Sequence, residues 1–139
     1  MTEEKLLNIL LVEDDQVDVL TVQRAFKRNN ITNPVWVASN GLEALAMLRS
    51  GEVPAARRLI LLDLNMPRMN GIEFLRELRA DAQLAKSAVV VLTTSNQEQD
   101  RIAAYDLNVA GYLLKPVTFP NFLQLMATMN KYWALVEFP

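Results

Sequence analysis

The chain has 139 residues, of which 51% are hydrophobic and 22% are charged, and its formal net charge is −2. This length suits one domain with a core of its own, and the absence of a basic block argues against nucleic-acid binding. The chain has no Cys and no His, which excludes disulfides, His-ligated zinc and His-based catalytic triads. No apolar run is long enough to cross a membrane and the N-terminus does not resemble a secretory signal, so we expect a cytoplasmic protein.

Short apolar segments alternate with helical patterns along the whole chain. The apolar segments predict strands at 6–12, 34–38, 59–62, 88–92 and 112–114. The helical patterns follow each strand and predict helices at about 15–28, 42–48, 71–80, 98–105 and from 118 to near the C-terminus. Regular alternation of this kind predicts a doubly wound α/β domain with a five-stranded parallel sheet and five helices. We expect the strand order 2-1-3-4-5, which is one of the common orders of such sheets.

Several side chains before these helices are suited to capping them. Asn70 is expected to cap the third helix, and Thr118 is expected to cap the fifth, with Pro120 in its first turn. Ser95 and Glu98 have the spacing of a capping box, which predicts that they close the N-terminus of the fourth helix together.

Polar residues follow the predicted strands at one edge of the sheet. Glu13 and Asp14 come after the first strand, Asp63 after the third, Thr93 after the fourth and Lys115 after the fifth. In the order 2-1-3-4-5 the first and third strands are neighbours, and a ligand crevice opens beyond their carboxyl ends. We therefore expect these five side chains to meet in one crevice.

Three carboxylates in one crevice repel one another. At a separation of ~5 Å and an effective dielectric constant of ~20, each pair is unfavourable by roughly 3 kcal/mol. Mg²⁺ would relieve this repulsion, since it takes oxygen ligands and requires neither His nor Cys. The pattern favours a site where Mg²⁺ helps one carboxylate to attack a phosphoryl group, with Lys115 and Thr93 binding the phosphoryl oxygens.

Four segments together resemble the receiver domain of two-component response regulators, over essentially the whole chain. They are LLVEDD, LILLDLNMPRMNG, VVVLTTS and GYLLKP. The resemblance implies a flavodoxin-like fold and a phospho-accepting signalling protein rather than an enzyme, with a histidine kinase as its phosphoryl donor. It implies that Asp63 is the phospho-acceptor and that Asp14, Asp63 and the backbone carbonyl of Asn65 bind Mg²⁺, with Glu13 completing the acidic pair.

The same resemblance implies roles for three further residues. Thr93 would be the switch hydroxyl, Tyr112 the switch aromatic and Lys115 the lysine that pairs with the phosphoryl group. Phosphorylation would draw Thr93 inward and let Tyr112 turn, which changes the face formed by the fourth helix, fifth strand and fifth helix. We expect residues 1–139 to be a single receiver domain without an output domain, so that the changed surface is itself the signal.

The C-terminal segment NKYWALVEFP carries more apolar residues than one buried helix face requires. With VEDDQVD and VVVLTTSNQEQD it is similar to the single-domain regulators that partner cyanobacterial phytochromes, which implies a phytochrome as the kinase. It also implies a homodimer through the fourth helix, fifth strand and fifth helix, and we expect Tyr132, Trp133 and Phe138 to contribute to it. A tail folded back on its own domain is the alternative.

Three other functions use similar folds or residues. A phosphatase of the haloacid dehalogenase type also uses an Asp nucleophile and Mg²⁺, but its nucleophile follows the first strand and here the acidic pair comes first. A flavodoxin-like cofactor binder would need a phosphate-binding loop after the first strand, where this chain is acidic. A receiver used for docking alone, without phosphorylation, is the third alternative, and it predicts that Asp63→Asn leaves partner binding unchanged.

Overall fold

A computed structural model describes residues 6–138 of the chain. Residues 1–5, part of the N-terminal segment compared above with a secretory signal, lie outside this range. The strands are β1 (Asn8–Val12), β2 (Val35–Ala38), β3 (Arg58–Leu62), β4 (Ala88–Thr93) and β5 (Gly111–Leu114). The helices are α1 (Gln16–Arg28), α2 (Gly41–Ser50), α3 (Gly71–Ala80), α4 (Glu98–Asp106) and α5 (Phe119–Leu135). All ten predicted elements are present, with ends that differ from the predictions by a few residues.

The five strands form one parallel sheet in the order β2-β1-β3-β4-β5, which confirms the predicted topology. β1 and β3 are hydrogen-bonded neighbours, and their register pairs Val12 with Leu62. The next residues, Glu13 and Asp63, therefore leave the sheet side by side. None of the helices within residues 6–138 is long and apolar enough to cross a membrane.

Alternate residues of the central strands point into two separate cores. Leu10, Ile60 and Leu62 pack on one face of the sheet with α2 and α3. Leu59 and Leu61 pack on the other face with α1 and α5. Burial on both faces explains why residues 59–62 of β3 form an unbroken apolar run, as strands in parallel sheets commonly do.

The start of α3 is held tightly against the end of β3. Asn70 and Glu73 form a capping box, which confirms Asn70 as the cap. At Gly71 an added Cβ would lie 2.7 Å from both the carbonyl oxygen of Asp63 and the Cα of Leu64. Only glycine permits this approach, and it fixes the loop that carries Asp63.

The predicted caps of the last two helices had different outcomes. Thr118 caps α5 by accepting a hydrogen bond from the Asn121 backbone N–H, as expected. The capping box of α4 is wrong, because the N-cap is Gln97 and makes no side-chain hydrogen bond. The Ser95 hydroxyl instead donates to Asp100 at 2.5 Å, since the loop places it beside that carboxylate.

The C-terminal tail, which is residues 136–138 after α5, folds back onto its own domain. Trp133 is 7% exposed, and the Phe138 ring packs against it at 5.7 Å between centroids. The Arg57 guanidinium lies 4.9 Å from the Phe138 ring and donates hydrogen bonds to the carbonyls of Val136 and Trp133. This packing agrees with the alternative of a tail folded back on its own domain, whereas the contribution of Tyr132, Trp133 and Phe138 to a dimer stays a prediction. Tyr132 remains 62% exposed.

Candidate functional site

The acidic residues that follow β1 and β3 form a cluster at the carboxyl edge of the sheet. Glu13 and Asp63 are buried, at 3% and 6% exposure, whereas Asp14 is exposed. One carboxylate oxygen from each of the three lies within 4.8 Å of the other two. The predicted convergence of these side chains is therefore present in the structure.

Thr93 connects the end of β4 to this cluster. Its side chain is completely buried, and its hydroxyl donates a hydrogen bond to Oδ1 of Asp63 at 2.8 Å. The backbone N–H of Asn65 donates to the same oxygen at 3.4 Å. These two donors hold the Asp63 carboxylate in one orientation, so Thr93 lies beside Asp63 as predicted.

Lys115 enters the cluster from the end of β5. Its ammonium nitrogen lies 2.5 Å from Glu13 Oε1 and 2.7 Å from Asp18 Oδ2, but 3.9 Å from Asp63 Oδ2. Burial opposes the charge on Lys115, but the hydrogen bonds to Asp18 and Glu13 outweigh it and raise the lysine pKa. The lysine is therefore charged at neutral pH and lies near Asp63 without a direct hydrogen bond to it.

Glu13 shows the electrostatic cost of this arrangement. Burial and the nearby Asp63 charge raise the pKa of Glu13 to about 7, although the hydrogen bond and charge of Lys115 oppose the shift. One lysine thus compensates the clustered carboxylates incompletely. A bound cation would supply the missing positive charge.

The donor set of this cluster fits a hard divalent cation. All of its side-chain ligand atoms are carboxylate oxygens, which magnesium and similar ions prefer, and the exposed Asp14 opens the cluster to solvent. Asn65, also exposed, lies two residues after Asp63. Its predicted role as a ligand through the backbone carbonyl stays a prediction.

Tyr112 links β5 to the loop between β4 and α4. The half-buried Tyr112 hydroxyl donates a hydrogen bond to the Ser95 carbonyl at 2.9 Å. Burial is the main cause that raises its pKa, so the hydroxyl stays protonated and acts as a donor. Ser95 lies two residues after Thr93, so Tyr112 is coupled to the site through this short segment.

Asp18 is the site residue that sequence reasoning missed. Asp18 lies in the first turn of α1, where a negative side chain suits the helix dipole. The structure also pairs it with Lys115, 97 positions away in the chain. The available signal was its position one helical turn after Asp14, on a helix that starts at the acidic edge of the sheet.

A comparison with protein-family models decides which family has this fold and this site. The model for the response regulator receiver domain matches residues 9–127. The chain belongs to the response regulator receiver family. This match spans Glu13, Asp63, Thr93 and Lys115, and it favours a receiver over the phosphatase alternative.

Several relatives of this receiver are phytochrome regulators. The response regulator Rcp1 of Synechocystis is 39% identical over 128 residues, which cover 90% of this chain and 87% of Rcp1. A crystal structure of the phosphorylated cyanobacterial phytochrome response regulator RcpA has a TM-score of 0.83 and 36% identity, covering 96% of this chain and 98% of RcpA. A crystal structure of Mn²⁺-bound Rcp1 has a TM-score of 0.81 and 38% identity, covering 94% and 97% of the two chains. This receiver is thus homologous to phytochrome response regulators, and it carries the acidic cluster at which receivers bind a divalent metal.

Proposed function

We propose that this receiver accepts a phosphoryl group on Asp63 from the phosphohistidine of a histidine kinase. The observation that carries the proposal is the position of Asp63, buried within an acidic cluster and next to both a hydroxyl and an ammonium group. A carboxylate oxygen of Asp63 attacks phosphorus, the bond from phosphorus to the kinase histidine breaks, and the imidazole keeps the bonding electron pair. The chain has no His, so the donor must be another molecule.

We assign Mg²⁺ as the metal of this site. Asp14, Asp63 and the carbonyl of Asn65 would hold it, with Glu13 completing the acidic pair. When bound, Mg²⁺ neutralises charge on the transferring phosphoryl group. The oxygen donor set and the incompletely compensated charge of Glu13 support this assignment.

Thr93 and Lys115 would bind the phosphoryl oxygens. The Thr93 hydroxyl already donates to Asp63, so a small inward movement would transfer this hydrogen bond to the new group. Lys115 would provide a fixed positive charge, which stabilises a phosphoryl group more strongly in a buried site than in water. The movement of Thr93 would displace Ser95 and its hydrogen bond to Tyr112, and thereby change the α4, β5 and α5 surface.

Mass spectrometry tests the phospho-acceptor directly. Incubation with Mg²⁺ and acetyl phosphate should add one phosphoryl group to the wild type and none to Asp63→Asn, because the amide cannot form an acyl phosphate. Asp106→Asn is the matched control: it makes the same substitution at an exposed position near the end of α4 and should keep the adduct. An adduct on Asp63→Asn, or its absence from the wild type, would refute the proposal.

We further propose that the kinase is a cytoplasmic phytochrome. The support is the homology to Rcp1 and RcpA over nearly the whole chain. Purified phytochrome kinase from the same organism should transfer phosphate to this receiver within seconds to minutes, and faster than unrelated histidine kinases do. Equal rates from all kinases would argue against a phytochrome as partner.

We also propose a homodimer through α4, β5 and α5, with Tyr132 as the contributing residue of the C-terminal segment. The support is a set of exposed apolar side chains on these elements, which are Ile102, Tyr105, Leu114, Tyr132 and Leu135. Light scattering at micromolar concentration should give a dimer mass for the wild type and a smaller mass for Tyr132→Ser. Leu20→Ser, on the exposed side of α1, is the control and should remain dimeric. A monomeric wild type would remove this proposal.

A further inference from the structure

We propose that Asp18 is a positioning residue for phosphoryl transfer, because it anchors Lys115 to helix α1 and directs the lysine toward Asp63. The inference rests on the proposed phosphorylation of Asp63 and adds a residue to that reaction. Asp18 lies outside the acidic cluster that would hold the metal.

The ammonium group of Lys115 has three protons to donate. Two of them are accounted for by Glu13 Oε1 at 2.5 Å and Asp18 Oδ2 at 2.7 Å. Asp63 Oδ2 lies 3.9 Å from the same nitrogen, which is close enough for an ion pair but too far for a hydrogen bond. An oxygen of a phosphoryl group bonded to Asp63 would therefore lie near this nitrogen and could accept its third proton.

A lysine side chain needs such anchors because its four-carbon stem is flexible. Glu13 alone would hold the ammonium group from the β1 side. Asp18 holds it from α1, a helix whose Val19 and Val22 are buried in the core and whose start is capped by Asp15. Since Lys115 is itself only 10% exposed, the two carboxylates restrict it to one small region beside Asp63.

The geometry favours positioning over inhibition by Asp18. A lysine held away from the site would have to break a hydrogen bond before it could reach the phosphoryl group. Here Lys115 is already 3.9 Å from Asp63, so it can keep both anchors while it donates to an oxygen of a phosphoryl group on Asp63. Asp18 therefore lowers the entropy that Lys115 must lose in the transition state.

The rate of acetyl phosphate addition, followed by intact mass in the presence of Mg²⁺, tests this role. We expect Asp18→Ala to react about fivefold more slowly than the wild type, since a partly exposed charge-assisted hydrogen bond is lost. Asp18→Asn should fall between the two, because its amide oxygen still accepts a hydrogen bond. Glu98→Gln is the matched control: it removes the same charge from the first turn of α4, and the described partners of Lys115 do not include Glu98. It should react at the wild-type rate.

A double-mutant cycle distinguishes an effect through Lys115 from a general structural effect. In the Lys115→Ala background, Asp18→Ala should cause no further slowing. Equal slowing in both backgrounds would overturn the inference, as would an unchanged or faster rate for Asp18→Ala alone. If the wild type forms no adduct, the proposed function fails first and the inference falls with it. If the wild type reacts and Asp18→Ala reacts equally fast, only the role of Asp18 is refuted.

Discussion

The two ends of the sheet differ in how the charged and polar groups there are paired. At the carboxyl end, Glu13 and Asp63 are buried close together and share the single ammonium group of Lys115. At the amino end, Arg57 donates to the carbonyls of Val136 and Trp133 and covers the Phe138 ring. The first end concentrates charges of the same sign, whereas the second pairs a cation with carbonyl oxygens and an aromatic ring.

This difference means that the amino end of the sheet contributes mainly to stability and the carboxyl end mainly to reactivity. The last carbonyls of a helix carry partial negative charge and interact favourably with a positively charged side chain. The contacts of Arg57 therefore stabilise the C-terminus of α5. The raised pKa of Glu13 shows that the acidic end is strained electrostatically. Functional sites commonly give up stability in this way, and the remainder of the domain compensates. We therefore expect substitutions at the tail to change stability, and changes at the acidic end to act mainly through the metal and the phosphoryl group.

The largest effect should come from Trp133→Ala. Removal of a large buried aromatic side chain leaves a cavity, and we expect a loss of about 3–5 kcal/mol in the free energy of unfolding, measured with urea. Leu20→Ala, at an exposed position on α1, is the control and should change stability by less than about 0.5 kcal/mol. A loss below about 1 kcal/mol for Trp133→Ala would mean that the end of α5 does not stabilise the domain as the packing indicates.

A smaller loss is expected for Arg57→Ala. It removes two charge-assisted hydrogen bonds to carbonyls and one cation–π contact, for which we expect about 2 kcal/mol because the site is partly exposed. Arg57 has a left-handed backbone, with φ of 47°, so Arg68→Ala is the appropriate control: Arg68 is exposed and has φ of 66°. Equal losses for the two variants would assign the effect to the backbone rather than to the contacts with the tail.

The smallest of the three effects is the stabilisation by Mg²⁺ at the acidic end. At ten times its dissociation constant, a cation that binds only the folded chain adds about 1.4 kcal/mol to the free energy of unfolding. Asp14→Asn should lose most of this gain, since it removes a proposed ligand, while Arg57→Ala should keep it. The same ionic strength of sodium chloride should not reproduce the gain. Equal gains in the wild type and Asp14→Asn would place the binding of Mg²⁺ elsewhere.

Most of the secondary structure was predictable because its signals are local. The apolar runs of β1, β3 and β4 are buried on both faces, so each strand is visible in the sequence as a nearly continuous run of hydrophobic residues. The alternation of strands and helices then restricts the topology, because crossovers between parallel strands are right-handed. The site followed from the topology, since Glu13, Asp63 and Lys115 all come directly after strands.

The contacts that the sequence did not determine are those in which two partners compete for one group. The capping box of α4 was inferred from the spacing of Ser95 and Glu98, but Asp100 binds the Ser95 hydroxyl instead. The sequence left two positions open for the tail, and contacts with Arg57 and the core place it against its own domain. Neither competing partner can be identified from spacing alone.

The sequence by itself determined the order of the elements and the residues that end each strand, because hydrophobic periodicity and turn residues act over a few positions. The tertiary structure decided which polar groups meet there. Lys115 lies between Glu13 and Asp18 because β5 and α1, almost one hundred positions apart in the chain, are brought to the same edge of the sheet. A hydrogen bond depends on distance and direction within a few tenths of an ångström, and only the packed chain determines these.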